Sequence, residues 1–416
     1  MKALLKRLWQ DSRGNALVIA GAALPFVVGG AGLATDTIQW TMWNRQLQRA
    51  ADSAAYAGVY AQVQNNAVMT AEQAVAADLL KNNTTGVSLL AGYPQVAYPT
   101  VSTYTNAVQV TIAIRKPLGF SSLFLPDAPT IITSATAALV DQGDYCVVAL
   151  STTGSALTIG GSADVNMGCG AISNSLDPLD SVGVNGNSHN FVADPVAGVG
   201  GISDTINGAG DVQPYQIPMT DPYADLSTDA PVGCPRRNTQ SNTLSPGCYT
   251  SFNLNGGANN STYTLQPGIY YLNNASLSLE GSTRLVGTGV TIILTGTNPG
   301  SVSMRGGSSM DLTAPTSATC AQYGTCAYTN MVLIQSPNAL GGNNNTINGD
   351  NNTALDGAIY FPRGDLTFTG SSSQATQCAM VVALTIEFTG SAAVQNDTSS
   401  CEAATTVSGQ RIKLVA

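Results

Sequence analysis

Leu277-Ser278-Leu279-Glu280-Gly281-Ser282, running into Thr283-Arg284-Leu285, is the stretch whose reading decides the fold of most of this chain. Apolar residues alternate with polar ones, the period of two that a strand with one buried face requires. The glycine then permits a sharp corner, and a second short strand follows. The same unit, apolar-x-apolar-x-Gly, returns as Leu157-Thr158-Ile159-Gly160-Gly161, Val302-Ser303-Met304-Arg305-Gly306, Leu366-Thr367-Phe368-Thr369-Gly370 and Ile386-Glu387-Phe388-Thr389-Gly390. Val182-Gly183-Val184-Asn185-Gly186 is a weaker copy. Starts at 277 and 302, and at 366 and 386, lie 25 and 20 residues apart, the spacing of stacked coils. Residues 141–416 are therefore expected to be an all-β domain, a right-handed parallel β-helix or irregular β-solenoid. A β-sandwich is the alternative.

Composition agrees with a turn-rich β region. Of 43 glycines, 34 lie in residues 141–416, and so do 24 of 31 asparagines. Only 10% of residues are charged, against about 25% in an ordinary soluble domain. The net charge of -9 is uneven, with five basic and 20 acidic residues between Pro117 and Gln410. Such a surface repels phosphate, so nucleic acid is excluded as a partner. Asn343-Asn344-Asn345 and Asn351-Asn352 read as loop residues in preference to a stacked Asn ladder. Residues 194–247 break the repeat and read as an irregular insert. Arg411 to Ala416 reads as an end cap or a disordered tail.

The other end of the chain follows different rules. Arg13 and Asp36 bracket an uncharged run of 22 residues, Gly14 to Thr35, and about 20 helical residues cross a bilayer core. Lys2, Lys6, Arg7 and Arg13 precede the run, which predicts a cytoplasmic stub at 1–13, a transmembrane helix at 14–35 and the remainder outside. The alternative is a cleaved signal peptide ending near Gly32-Leu33-Ala34, although the run is long for one. A helical stripe continues beyond the span through Leu47, Ala50, Ala51, Ala54, Gly58 and Ala61, small enough for another element to pack closely. Leu47, Ala50, Ala54 and Gly58 are the candidate helix-packing residues. Thr70 to Asn82 predicts a short helix, and Val108–Ile114 and Thr130–Val140 predict strands. Phe120, Leu123 and Phe124 lie in the apolar connection between those strands.

Arg13-Gly14-Asn15-Ala16, the apolar run with Leu24-Pro25, Gly32-Leu33-Ala34-Thr35-Asp36 and Leu47-Gln48-Arg49-Ala50-Ala51-Asp52-Ser53-Ala54-Ala55 together resemble the TadE/TadG-like module of the Flp (tight adherence) pilus-assembly system. The resemblance covers about residues 12–63. It implies a single-pass, pilin-like bacterial envelope protein, with the inner membrane and other Tad/Flp pilus components as partners. Residues 36–140 would then be a long helix on a small antiparallel sheet. Type IV prepilins carry Glu five positions after the cleavage glycine. Counted from Gly14, that place holds Ile19, which favours a retained anchor.

The eight cysteines, Cys146, Cys169, Cys234, Cys248, Cys320, Cys326, Cys378 and Cys401, all follow the membrane run. An oxidising compartment makes disulfides the leading reading. Eight cysteines allow about 105 pairings; sequence neighbours, Cys146–Cys169, Cys234–Cys248, Cys320–Cys326 and Cys378–Cys401, are the expected ones. Eleven Asp and no Lys, Arg or Glu occupy Asp141 to Gly233. Calcium is the cofactor such oxygens would take, but no Asp-x-Asp-x-Asp-Gly loop is present, and a solvated acidic face is the plainer reading. His189 reads as a surface turn residue. Arg411-Ile412-Lys413 has no companion motif of a pectin hydrolase, and no Walker loop or His-Glu-x-x-His occurs. The chain is thus expected to be non-enzymatic, without a cofactor, assembling a pilus or offering an adhesive surface to a substratum or glycan. The alternatives are an anchored β-helix polysaccharide-active enzyme and a secreted solenoid adhesin unrelated to pili.

Overall fold

The computed structural model describes residues 15–63, 69–82, 88–100, 104–186, 189–255, 261–341, 343–349, 353–370, 373–397 and 406–415. Two compact units emerge, Met1–Val140 with Arg411–Ala416, and Asp141–Gln410.

In the first unit, helix α1 (Asn15–Val63) is continuous through Pro25. Its two halves solve different problems. In the first half the apolar side chains point outward, with Phe26 82% and Val27 67% exposed. In the second half Ala51, Ala54, Ala55 and Val59 are fully buried. They meet helix α2 (Ala71–Lys81), which opens with a capping box between Thr70 and Gln73 that satisfies orphan N–H groups of the first turn. Strands β1 (Gln95–Ala97), β2 (Thr105–Arg115) and β3 (Thr130–Ala149) pair antiparallel in that order, β3 through Thr130–Leu139. Gly58 sets the helix–sheet spacing. A Cβ there would lie 2.8 Å from Val108 Cγ1 and 3.1 Å from Val75 Cγ2. Arg411 to Ala416 group with this unit, which corrects the 141–416 boundary. Arg411–Val415 is neither disordered nor a free cap, because Val407–Leu414 is a strand and the Val415 N–H donates to Thr136 O at 2.9 Å.

The second unit is β-rich. Among its described residues the repeated short strands pair in parallel, a pattern foreign to an antiparallel sandwich. Short strands fall into three ladders. All the repeat copies read from the sequence lie in one of them, in register. Its first inward row runs Phe252, Leu277, Val302, then Asn345, Leu366, Ile386, Leu157 and Val182. Its second runs Leu254, Leu279, Met304, Ile347, Phe368, Phe388, Ile159 and Val184. These rows form the backbone of one continuous core, and each large side chain buried there contributes about 1.5–3 kcal/mol. The corner glycines sit over one another. Gly161 has φ +63°, and a Cβ on it would stand 2.5 Å from Gly390 O.

Two members of this ladder escaped the sequence reading. Phe252-Asn253-Leu254-Asn255 is one, and Asn343–Gly349 is the other. The second corrects the loop reading of Asn343-Asn344-Asn345: it is a strand, with Asn345 fully buried in an apolar row. The Asn345 side chain replaces apolar contact with hydrogen bonds, accepting from Val302 N at 2.9 Å and donating to Asn343 O and Asp365 O at 3.1 and 3.2 Å. Asn351 and Asn352 lie outside the described residues.

Stacking order departs from chain order. Val381–Phe388 pairs with Val147–Ala149 and Leu157–Ile159, so a late pass of the chain lies against the first one. From there the early passes, 170–173 and 196–198, extend one way to Val212–Gln213. The later ones extend the other way to Arg236–Arg237. Residues 214–235 must therefore return along the whole stack. Eleven rungs at about 4.8 Å amount to roughly 50 Å, within the roughly 70–80 Å that 22 extended residues reach.

That return segment is a strap with a definite course. Met219 exchanges two hydrogen bonds with the Asn174 side chain, at 2.8 and 2.7 Å. Asp221 accepts from Tyr360 OH at 2.8 Å, and the Tyr223 ring packs edge-on against Tyr360 with centroids 5.3 Å apart. Ser227 O accepts from Tyr328 OH, Thr228 bonds to Ser336, and Cys234 is joined to Cys248. Burial, then the nearby Asp221 charge, pushes the Tyr223 hydroxyl up to about 12, and burial, the hydrogen bond to Asp221 and the Asp221 charge raise Tyr360. The strap covers Ile293, Ile334, Tyr360 and Val382, which face away from the main core and form a second one. The irregular insert expected at 194–247 thus shrinks. Its flanks, Val196–Gly198, Val212–Gln213, Arg236–Arg237 and Thr243–Leu244, are ladder strands.

Candidate functional site

Two surfaces carry the residues singled out by sequence, one on each unit. On the first unit the anchor end is organised by Asp36, the residue at which the uncharged run stops. It is 3% exposed. Phe120 N–H donates to Oδ1 at 2.8 Å, and the Ser121 N–H and hydroxyl both donate to Oδ2. Gly119 N–H donates to Gln39 Oε1 at 3.3 Å. An unpaired carboxylate beside an apolar span is costly; three donors from one turn remove that cost and fix the β2–β3 connection to α1. Sequence reading found Asp36 as a boundary and Phe120 as an apolar loop residue, but no local pattern joins positions 84 residues apart.

The four helix-packing candidates divide between two settings. Ala54 and Gly58 are buried within the unit, against α2 and β2. Leu47, almost fully buried, and Ala50, half-buried, line a cavity of about 590 Å³ with Trp43, Leu79, Leu80 and Ile112. One end of the stripe is therefore local core, and the other opens on an apolar recess beside Arg49.

On the second unit several acidic residues accept backbone hydrogen bonds. Asp177 Oδ1 accepts from Leu179 N and Asp180 N at 3.0 and 2.9 Å, and these backbone donors hold its carboxyl below the ordinary value. Asp194 accepts from Asp211 N, and Asp204 from Val184 N. Among the described residues no group of three or more His, Cys, Asp or Glu side chains is gathered as a metal-ligand set. His189 is not the surface turn residue expected, being only 4% exposed. Its Nε2 accepts from Asn207 N at 3.1 Å and Nδ1 faces Gly186 O at 3.2 Å, so the ring staples two turns. Arg284 and Asp311 form an ion pair of 2.7 Å with both side chains 43% exposed, worth about 0–1 kcal/mol.

Disulfides join Cys146 to Cys169, Cys234 to Cys248, and Cys320 to Cys326, with Cα separations of 5.8, 5.8 and 4.6 Å. The first joins successive passes of the stack, the second ties down the strap, and the third closes an excursion around the helix Cys320–Tyr323. Cys378 is also disulfide-bonded; Cys401 lies outside the described residues. Asn396 was not singled out by sequence, and Asn345 was read only as a loop residue. A polar residue in the apolar place of Asn345-Thr346-Ile347-Asn348-Gly349 was the available signal.

Helix α1 is long and apolar enough to cross a membrane, and none of its most apolar window is buried. Residues 14–77 match the family model described as Putative Flp pilus-assembly TadE/G-like. The match takes in the apolar run, Asp36, the stripe and the first half of α2, and stops short of the ladders. No significant match to a curated protein or to a solved structure is found.

Proposed function

We propose that the chain is a non-catalytic, membrane-anchored component of a Flp/Tad-type pilus apparatus, acting in pilus assembly or as an adhesive element. The observation that carries this reading is the TadE/G-like match over residues 14–77, coincident with a helix whose apolar half is left uncovered. Lys2, Lys6, Arg7 and Arg13 favour a cytoplasmic N-terminus, and the disulfides favour an oxidising exterior for the rest. We read residues 141–410 as a right-handed parallel β-helix with three short strands per turn. Parallel pairing of successive passes supports this, and so does the strong right-handed preference of parallel crossovers. Its long polar face suits display to a substratum, a glycan or neighbouring pilus components. Acidic residues held by backbone N–H groups, such as Asp177 and Asp194, suit a binding surface better than a catalytic cleft.

Deletion of the gene in the source bacterium, followed by counts of surface pili and a surface-attachment assay, tests the proposal. Loss of pili is the result expected of an assembly component. Normal pilus number with attachment reduced at least several-fold is the result expected of an adhesive one. Unchanged pili and unchanged attachment would contradict both forms.

A further inference from the structure

The connection between β2 and β3 carries an apolar surface left uncovered by the described residues. Leu123, Phe124 and Leu125 are 74%, 72% and 54% exposed, a contiguous triplet around the turn Ser121–Leu123. Large apolar side chains displayed together mark an interaction site. Their position identifies the partner. Phe120, whose ring lies 5.2 Å from that of Phe124, is seated on Gly32. A Cβ on Gly32 would stand 2.3 Å from the Phe120 ring, so only glycine admits it. Gly32 lies inside the uncharged run, four residues or about 6 Å along the helix from Asp36 toward the span. The loop therefore reaches past the end of the run to the level of exposed Leu33 on α1.

The neighbouring polar groups fit the same placement. Asp36 would be costly at the edge of hydrocarbon, and it is covered and fully hydrogen-bonded by this loop. On the far side of Asp36 stand Trp40 and Trp43, with Lys116 Nζ 4.8 Å from the Trp43 ring centroid. Tryptophan and lysine at this distance from an apolar span form the usual headgroup-level belt.

We infer that residues 118–125 are a second membrane-contacting element, a hydrophobic loop that places Leu123, Phe124 and Leu125 in the acyl region of the leaflet at the Asp36 end of α1. The inference rests on the anchor reading of that helix. Lipid is the occupant because the loop surface continues the uncovered apolar surface of the helix itself. Two lipid contacts on one rigid unit fix its tilt and rotation, which a single helix cannot.

Nitroxide accessibility on the full chain, reconstituted in phosphatidylethanolamine–phosphatidylglycerol vesicles, tests it. Among the described residues no cysteine is free, so a single introduced thiol takes the label. Phe124→Cys is the reporter, Ile19→Cys reports the helix, and exposed Leu176→Cys reports water. At Phe124 the ratio of oxygen to nickel-chelate collision rates is expected to exceed that at Leu176 several-fold, as at Ile19. A lipid-like ratio at Ile19 with a water-like ratio at Phe124 overturns the loop inference and leaves the anchor intact. Low collision rates with both reagents at Phe124 mean a protein partner or second copy covers the loop, which overturns lipid as occupant. A water-like ratio at Ile19 overturns the anchor and this inference together.

Discussion

Phe388→Ala is expected to destabilise the β-rich unit by about 3–5 kcal/mol, the range for truncating a large aromatic in a packed core. Phe388 is fully buried. Its ring stacks on Phe368 at 5.1 Å with an 11° interplanar angle, and meets Phe191 at 5.7 Å. It also lies opposite Ile159 in the register that joins a late pass of the chain to the first one. The alanine removes the ring from both partners and leaves a void between strands more than 200 residues apart in sequence. Phe388→Leu keeps much of the volume and is expected to lose less than half as much. Denaturant unfolding of the detergent-solubilised full chain, read as a lowered midpoint at constant slope, measures both. An alanine variant within about 1 kcal/mol of the parent would show that this seam is not packed as described.

Asn396→Ala is expected to be nearly as damaging although it removes little volume. The side chain accepts from Ala379 N at 3.0 Å and donates to Met167 O and Ala379 O at 3.0 and 3.1 Å. Met167 belongs to the first pass and Ala379 to a late one, so one amide bridges the same seam. Its loss strands one buried N–H and weakens two carbonyls, at about 1–3 kcal/mol for each group left unsatisfied, or roughly 3 kcal/mol together. Asn396→Asp is the sharper probe. A carboxylate still accepts from Ala379 N but faces two carbonyl oxygens with no proton to give. It is expected to be at least as destabilising as alanine at pH 7 and to recover as acidification protonates it, in the same unfolding measurement. Equal stability of the Asp variant and the parent at pH 7 would remove Asn396 from the seam.

The seam also marks where sequence reading stops. The alternation in Leu277-Ser278-Leu279 and its copies is local physics, and every copy falls in one ladder in the expected register. What alternation cannot encode is which copy neighbours which. Ile386 would sit as well on Val302 as on Leu157, since all present one apolar row and one glycine corner. The order is set by the strap, whose 22 residues must span the stack, and its anchoring groups are ordinary ones such as Asn174, Tyr328 and Tyr360. Asn345 and His189 misled for a related reason. Each is a turn-forming residue by composition, and each is buried because hydrogen-bond partners from distant passes satisfy it. At the other end of the chain, Asp36 was legible as the limit of an uncharged run. Its donors, Phe120 and Ser121, were not, because a loop that caps a carboxylate with backbone N–H groups leaves almost no trace in side-chain identity.

Retention of the apolar helix is the premise shared by the anchor, the pilus role and the lipid-contacting loop. Intact-mass analysis of the native protein, recovered from alkaline-washed membranes, tests it most directly. The expected result is a membrane-retained chain whose mass includes residues 1–34, with three or more disulfides intact. A soluble chain lacking residues 1–34 would contradict it.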